Sequence, residues 1–140
     1  MRDHALGEFA RQQARCEQEA LADVDAQPEQ EIALRPLLRT GDVMELVPGM
    51  VVTQHSGDGK ANQYFLRGFN LDHGTDFASY VDGVPVNMPT HGHGQGYADI
   101  NFLVHELVDT VHYRKGPYFA EEGNFAAAGA ARISYVRDSG

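Results

Sequence analysis

Phe65-Leu66-Arg67-Gly68-Phe69-Asn70 is the first of three short motifs that decide the fold. Val81-Asp82-Gly83-Val84-Pro85-Val86-Asn87 and Arg114-Lys115-Gly116-Pro117-Tyr118-Phe119 follow it. Each joins an apolar stretch to a charged residue and then a glycine, where the chain turns without a Cβ clash. Alone, an Arg-Gly, an Asp-Gly or a Lys-Gly-Pro marks only a turn; the apolar arms around them make the strands. Tyr64 to Leu66 reads as a strand leading into Arg67-Gly68. Ser79 to Val81 and Val84 to Val86 are the arms of an Asp-Gly hairpin, with Pro85 confining the second arm to a sheet edge. Val108 to Arg114 is a strand ending at Lys115-Gly116-Pro117, and Ala130 to Val136 is the last strand.

Upstream, Val43, Leu46 and Val47 fall at i, i+3 and i+4, one apolar face of a short helix. Thr40 and Asp42 are its expected caps, and Pro36 suits a first helical turn before it. Pro48-Gly49 stops this helix, and Met50-Val51-Val52 begins the next strand. Asp99 is placed to cap a short helix from Ile100 to Val104. The sum is an α+β domain: a small mixed sheet of four or five short strands, with short helices and long loops.

Composition narrows the function. The chain has 140 residues and 42% hydrophobic residues, enough for one domain with a real core. No run approaches the roughly 18 apolar residues of a membrane-crossing helix. The formal charge of −9 argues against nucleic acid as a partner. It is unevenly spread, with eight acids against three arginines in residues 1–31. That segment, helix-forming from Glu8 to Val24 but without a continuous apolar stripe, reads as an acidic, helical or disordered extension. Residues 32–140 read as the folded domain. Cys16, the single cysteine, excludes an internal disulfide and reads as a bystander thiol.

Two polar loops carry the candidate chemistry. In Asn87 to Tyr97 (NMPTHGHGQGY), His91 and His93 are two apart, and in an extended loop both would point the same way. Neutral imidazole is a ligand for zinc, copper, nickel and iron, so the pair reads as a weak metal or ligand site. A hydrogen-bonded, glycine-rich loop is the bland alternative. Gln54 to Asn62 (QHSGDGKAN) offers a similar set of donors, but Asp58-Gly59-Lys60 is too short for a phosphate cradle. Asp72-His73-Gly74-Thr75-Asp76 tempts a hydrolytic-metal reading. No His-Glu-x-x-His helix, Gly-x-Ser-x-Gly elbow or activated cysteine supports it. The plainer expectation is a turn in which aspartate side chains bond nearby amides, and no catalytic residue or cofactor is assigned.

The three motifs, preceded by Val47-Pro48-Gly49-Met50-Val51-Val52 and followed by Gly129-Ala130-Ala131-Arg132-Ile133, resemble the plug domain of TonB-dependent outer-membrane receptors. The resemblance runs from Leu34 to Val136. It implies a non-enzymatic domain that gates a β-barrel in the cell outer membrane during energised uptake of a metal chelate, siderophore, cobalamin or similar ligand. It implies as partners that barrel, the TonB energy-coupling complex and the small-molecule ligand. By position, Gln54, His55, Asp58, Thr90, His91, His93, Gln95 and Tyr97 would lie on ligand-contacting apical loops. Arg67, Gly68, Asp82, Gly83, Lys115, Gly116, Pro117 and Arg132 would position the plug. The chain shows no secretory signal and no evident TonB box, and it stops at Ser139-Gly140. It is therefore expected to be a fragment of a longer receptor. A small soluble metal-binding protein using His73, His91 and His93 is the alternative from another class.

Overall fold

The computed structural model describes residues 32, 34–55 and 59–137, together with the backbone of 25–27. The readings of Glu8 to Val24, Cys16 and Asp58 lie outside the described residues. Two sheets form the framework. The first runs in the order β1 (Asp25–Gln27), β7 (Val108–Lys115), β8 (Gly129–Tyr135), β5 (Phe77–Val81), β6 (Val84–Pro85). Within it β5 and β8 are parallel and every other pairing is antiparallel. The second is a meander of β2 (Met50–Thr53), β3 (Gln63–Leu66) and β4 (Phe69–Asn70).

Two hairpins are closed by the Arg67-Gly68 and Asp82-Gly83 motifs. Arg67 (φ 52) and Gly68 (φ 80) join β3 to β4, and Asp82 (φ 47) and Gly83 (φ 82) join β5 to β6. Two successive positive φ values define the type I′ turn, whose twist matches that of the flanking strands. Asp82 is fixed further because its carboxylate accepts the Tyr135 N–H at 3.2 Å while its own N–H donates to Ile133 O at 2.8 Å. The turn at Pro48-Gly49 closes with Met50 N–H donating to Val47 O at 2.9 Å.

The expected apolar helix face is real, but the helix is a 3-10 helix, Thr40–Leu46. Val43 and Leu46, with Val47 just past its end, are buried in one core with Tyr64, Leu66, Phe77, Val111 and Ile133. Burying each such side chain is worth about 1.5–3 kcal/mol. Its N-terminus is held by Asp42 alone, whose carboxylate accepts the N–H groups of Leu38 and Arg39, rather than by Thr40. The expected helix from Ile100 to Val104 is a single turn instead, with Leu103 N–H on Ile100 O at 3.0 Å and a 3-10 turn at His105–Leu107. Five residues give too few helical hydrogen bonds to repay nucleation. Asp99 does act locally, accepting the Asn101 N–H at 2.9 Å.

Among the described residues the strands number eight, in two sheets. The pieces the sequence does not signal are β1 and β4, which exist only as partners of longer strands, while β6 is the edge arm expected after Asp82-Gly83. β1 lies on the N-terminal side of the division placed at residue 31, and Ile32 just beyond it is buried in the core.

Candidate functional site

The chain between β4 and β5 makes a tight turn in which Asn70, not an aspartate, supplies the stabilising side chain. Its Oδ1 accepts the Asp72 N–H at 2.8 Å. This turn buries His73, which is only 6% exposed. The His73 Nδ1 stands 3.0 Å from Ala61 O and 3.3 Å from Asn62 O. Both neighbours are acceptors, so in the neutral ring Nδ1 carries the proton and Nε2 keeps its lone pair. Nε2 stands 3.8 Å from Asp72 Oδ1, beyond hydrogen-bond range.

The second loop closes over this turn. Met88 N–H donates to Tyr97 O at 2.9 Å and Gly96 N–H donates to Met88 O at 2.7 Å, so residues 89–95 form an excursion pinched at its base. Asn87 locks that base to the first sheet. Its Oδ1 accepts the Ser79 N–H at 2.7 Å, and its Nδ2 lies within 3.0 Å of the carbonyls of Gly74, Phe77 and Gly96. Tyr97 is buried, and its hydroxyl accepts the Ala61 N–H at 2.6 Å. The first polar loop, the His73 turn and the histidine loop are thereby knitted together at one end of the domain.

Their rings form one cluster. His91 stacks on Tyr97 at 3.8 Å between centroids with planes 13° apart. His93 lies 5.6 Å from His91 and 5.4 Å from His73, and His55 lies 5.2 Å from His73 on the other loop. His91 and His93 do share one side, but not through extended backbone. A turn closed by Gly94 N–H on His91 O at 3.1 Å brings them together, and the His93 N–H donates to His91 Nδ1 at 3.2 Å. His93 is held below the ordinary histidine range, first by loss of water around its ring. The Lys60 ammonium and the imidazoles of His73 and His91 add to this, while Asp72 acts the other way. Burial, the largest influence on Tyr64 beneath the turn, pushes its hydroxyl above the ordinary tyrosine range.

The remaining expected site residues are dispersed. Gln54, Thr90 and Gln95 are exposed, and Gln54 lines a polar cleft with Arg39, Asp42, Asn62 and Asn101. Of the positioning set, Arg67 and Pro117 are exposed, and Lys115 Nζ stands 5.3 Å from the Tyr113 ring. Arg132 has a partner that sequence reasoning missed. Glu122, 2% exposed, receives Arg132 at 2.6 Å and Arg114 at 3.2 Å. The Arg132 guanidinium lies over the Tyr80 ring, whose hydroxyl donates to Glu122 O. Glu121, paired with Arg114, has its pKa lowered, first by a backbone hydrogen bond and then by that arginine. Among the described residues, no three His, Cys, Asp or Glu side chains are grouped so as to hold a metal ion.

Two small sheets joined by tight turns, with ring-bearing loops gathered at one end, define a class of domain that presents loops on a compact support. A family model described as the TonB-dependent receptor plug domain matches residues 17–130. The chain belongs to the TonB-dependent receptor plug domain family, a non-enzymatic family of transport receptors of the outer membrane.

Solved structures agree on the fold. A ferric enterobactin receptor mutant from Pseudomonas aeruginosa, in complex with enterobactin, is 24% identical with a TM-score of 0.57, over 83% of this chain and 18% of that one. The siderophore receptor PirA from Acinetobacter baumannii is 22% identical with a TM-score of 0.59, over 82% of this chain and 17% of that one. A double mutant of the Serratia marcescens hemophore receptor HasR, in complex with its hemophore HasA and heme, is 23% identical with a TM-score of 0.59, over 82% and 17%. The chain thus spans less than a fifth of the length of these receptors. Among the described residues no helix is long and apolar enough to cross a membrane.

Proposed function

We propose that this chain is the gating and ligand-contacting plug of an outer-membrane receptor that takes up a metal chelate, siderophore, heme, cobalamin or similar ligand. The plug would occlude the barrel of the same receptor, and the TonB complex would supply the energy that remodels it. One observation carries the ligand-contacting part. Loops distant in sequence, around His55, His73 and His91–His93, bring their rings together at a single end of the domain. Exposed side chains on a rigidly supported loop cluster are where binding groups concentrate. Solved relatives in complex with enterobactin and with heme support a chelate or porphyrin as cargo. No observation favours the soluble metal-binding alternative.

The test is binding of ferric enterobactin and of heme to the full receptor carrying His91→Ala and His93→Ala, with His112→Ala on β7 as control. Losing one imidazole hydrogen bond to a buried ligand should cost about 1–3 kcal/mol, roughly one to two decades in affinity. Where wild type binds either probe, unchanged affinity in the folded double variant would leave the loop a spacer. The division drawn at residue 31 belongs to the same proposal, moved toward the N-terminus so that β1, paired with β7, stays in the domain. Trypsin should then cleave after Arg11 and Arg15 and leave the remainder intact.

A further inference from the structure

Four imidazoles share one end of the domain, but their hydrogen bonds give them different chemistry. In its neutral form His73 donates from Nδ1 to backbone carbonyls, 3.0 Å from Ala61 O, and its Nε2 lone pair has no hydrogen bond, standing 3.8 Å from Asp72 Oδ1. This is the arrangement of a metal-ligating histidine, in which an outer hydrogen bond fixes the tautomer and aims the other nitrogen. His91 is the reverse case. Its Nδ1 accepts the His93 N–H, so its neutral ring carries the proton on Nε2, and the ring is stacked on Tyr97. His93 is exposed, and its neighbour Gly92 has open space where a Cβ would stand.

The ring spacing is informative. A ring nitrogen binds zinc at about 2.0–2.1 Å, which puts the ring centre roughly 3.2 Å from the ion and two rings on one tetrahedral ion about 5.2 Å apart. His73 and His93 stand 5.4 Å apart with planes 50° apart. His55 is as near to His73, at 5.2 Å, so the spacing fits either ring. His93 is chosen because a bond from its own N–H to His91 fixes its place beside His73.

We propose that His73 and His93 form a two-imidazole site for a borderline transition-metal ion, through Nε2 of His73 and one ring nitrogen of His93. His91 acts as a stacked wall rather than a ligand. This inference rests on the ligand-contact reading and narrows it. Imidazole suits zinc, copper, nickel and iron, and a pair leaves further coordination positions for donors that arrive with the metal. The cargo is therefore a metal ion, or a complex with open positions, rather than a chelate that already saturates its metal.

The 140-residue chain, carrying Cys16→Ser so that the thiol does not compete, is titrated with zinc alone against a chromophoric chelator. Isotope-labelled imidazole NMR reads which ring nitrogens bind. Zinc should bind, shifting His73 Nε2 while Nδ1 keeps its proton. His93→Ala and His73→Gln should each weaken binding by roughly tenfold or more, as loss of metal-site groups does. His112→Ala on β7 should leave it nearly unchanged, and His91→Ala, which removes only the acceptor anchoring the His93 N–H, should weaken it less than His93→Ala does. No zinc binding, or a loss in His91→Ala or His55→Ala equal to that in His93→Ala, overturns the assignment. If His73→Gln fails to fold, His93→Ala and the wild-type NMR decide. A chain that ignores zinc while the full receptor still needs His91 and His93 for its ligand sinks this inference and spares the broader reading. Zinc binding with ligand affinity untouched in the receptor does the reverse.

Discussion

Replacing Asn87 should damage this domain more than its size suggests. The side chain, 9% exposed, accepts the Ser79 N–H and shares its two N–H donors among the carbonyls of Gly74, Phe77 and Gly96. Asn87→Ala strands a buried N–H, at about 1–3 kcal/mol, and removes a partner from three buried carbonyls. The carbonyls suffer less because each has a second lone pair. We expect a total loss of about 3–5 kcal/mol, a large part of the 5–15 kcal/mol by which domains are typically stable. Asn87→Asp separates this account from simple packing. It keeps the shape and the bond from Ser79, but turns both donors into acceptors facing three carbonyl oxygens. It should therefore cost at least as much as the alanine. The assay is urea unfolding of the 140-residue chain by circular dichroism, since the sequence has no tryptophan. An aspartate variant within about 1 kcal/mol of wild type, at unchanged denaturant slope, would refute the reasoning.

Three other outcomes are expected. Glu122→Gln removes the carboxylate between Arg114 and Arg132 and should destabilise by about 1–3 kcal/mol, below the 3–5 of a fully buried pair because both arginines retain access to water. Urea unfolding beside the milder Arg132→Ala checks it. His93 should titrate below free histidine in an NMR pH series, and Lys60→Gln should raise it. Because its folded pKa is lowered, protonation opposes the native loop, so the apex loses stability as pH falls through the ordinary histidine range; a His93 pKa at or above that of the free residue contradicts this. Gly96→Ala should cost more than 2 kcal/mol, since φ is +89° and a Cβ would stand 2.6 Å from Phe125 and 2.9 Å from Thr75 O. Gly92→Ala, with open space around it, should be nearly neutral in the same urea unfolding.

What the sequence made legible was local. The hairpins at Arg67-Gly68 and Asp82-Gly83 carry their turn signal in two adjacent residues, so they could be read directly. The apolar face Val43, Leu46 and Val47 likewise repeats within one turn. What was missed depends on partners far along the chain. His73 looked like a turn residue because its acceptors, Ala61 and Asn62, lie on another loop. Glu122 carries no signal in the sequence around it, and only the return of β7 and β8 beside it supplies the arginines. The pairing of His91 with His93 was anticipated for the wrong reason, since a glycine turn rather than extended backbone brings the rings together. Tyr97 was grouped with the ligand-contacting residues. Its buried ring and committed hydroxyl make it the floor on which His91 rests.

The most direct test of the central claim, that the ring cluster faces the cell exterior where ligand arrives, is labelling in intact cells. A full receptor carrying Thr90→Cys, an exposed position in the histidine loop, with every native cysteine, Cys16 included, replaced by serine, is treated with a membrane-impermeant maleimide. The account predicts labelling of whole cells that falls when the receptor's ligand is added. Labelling that appears only after the outer membrane is permeabilised would contradict it.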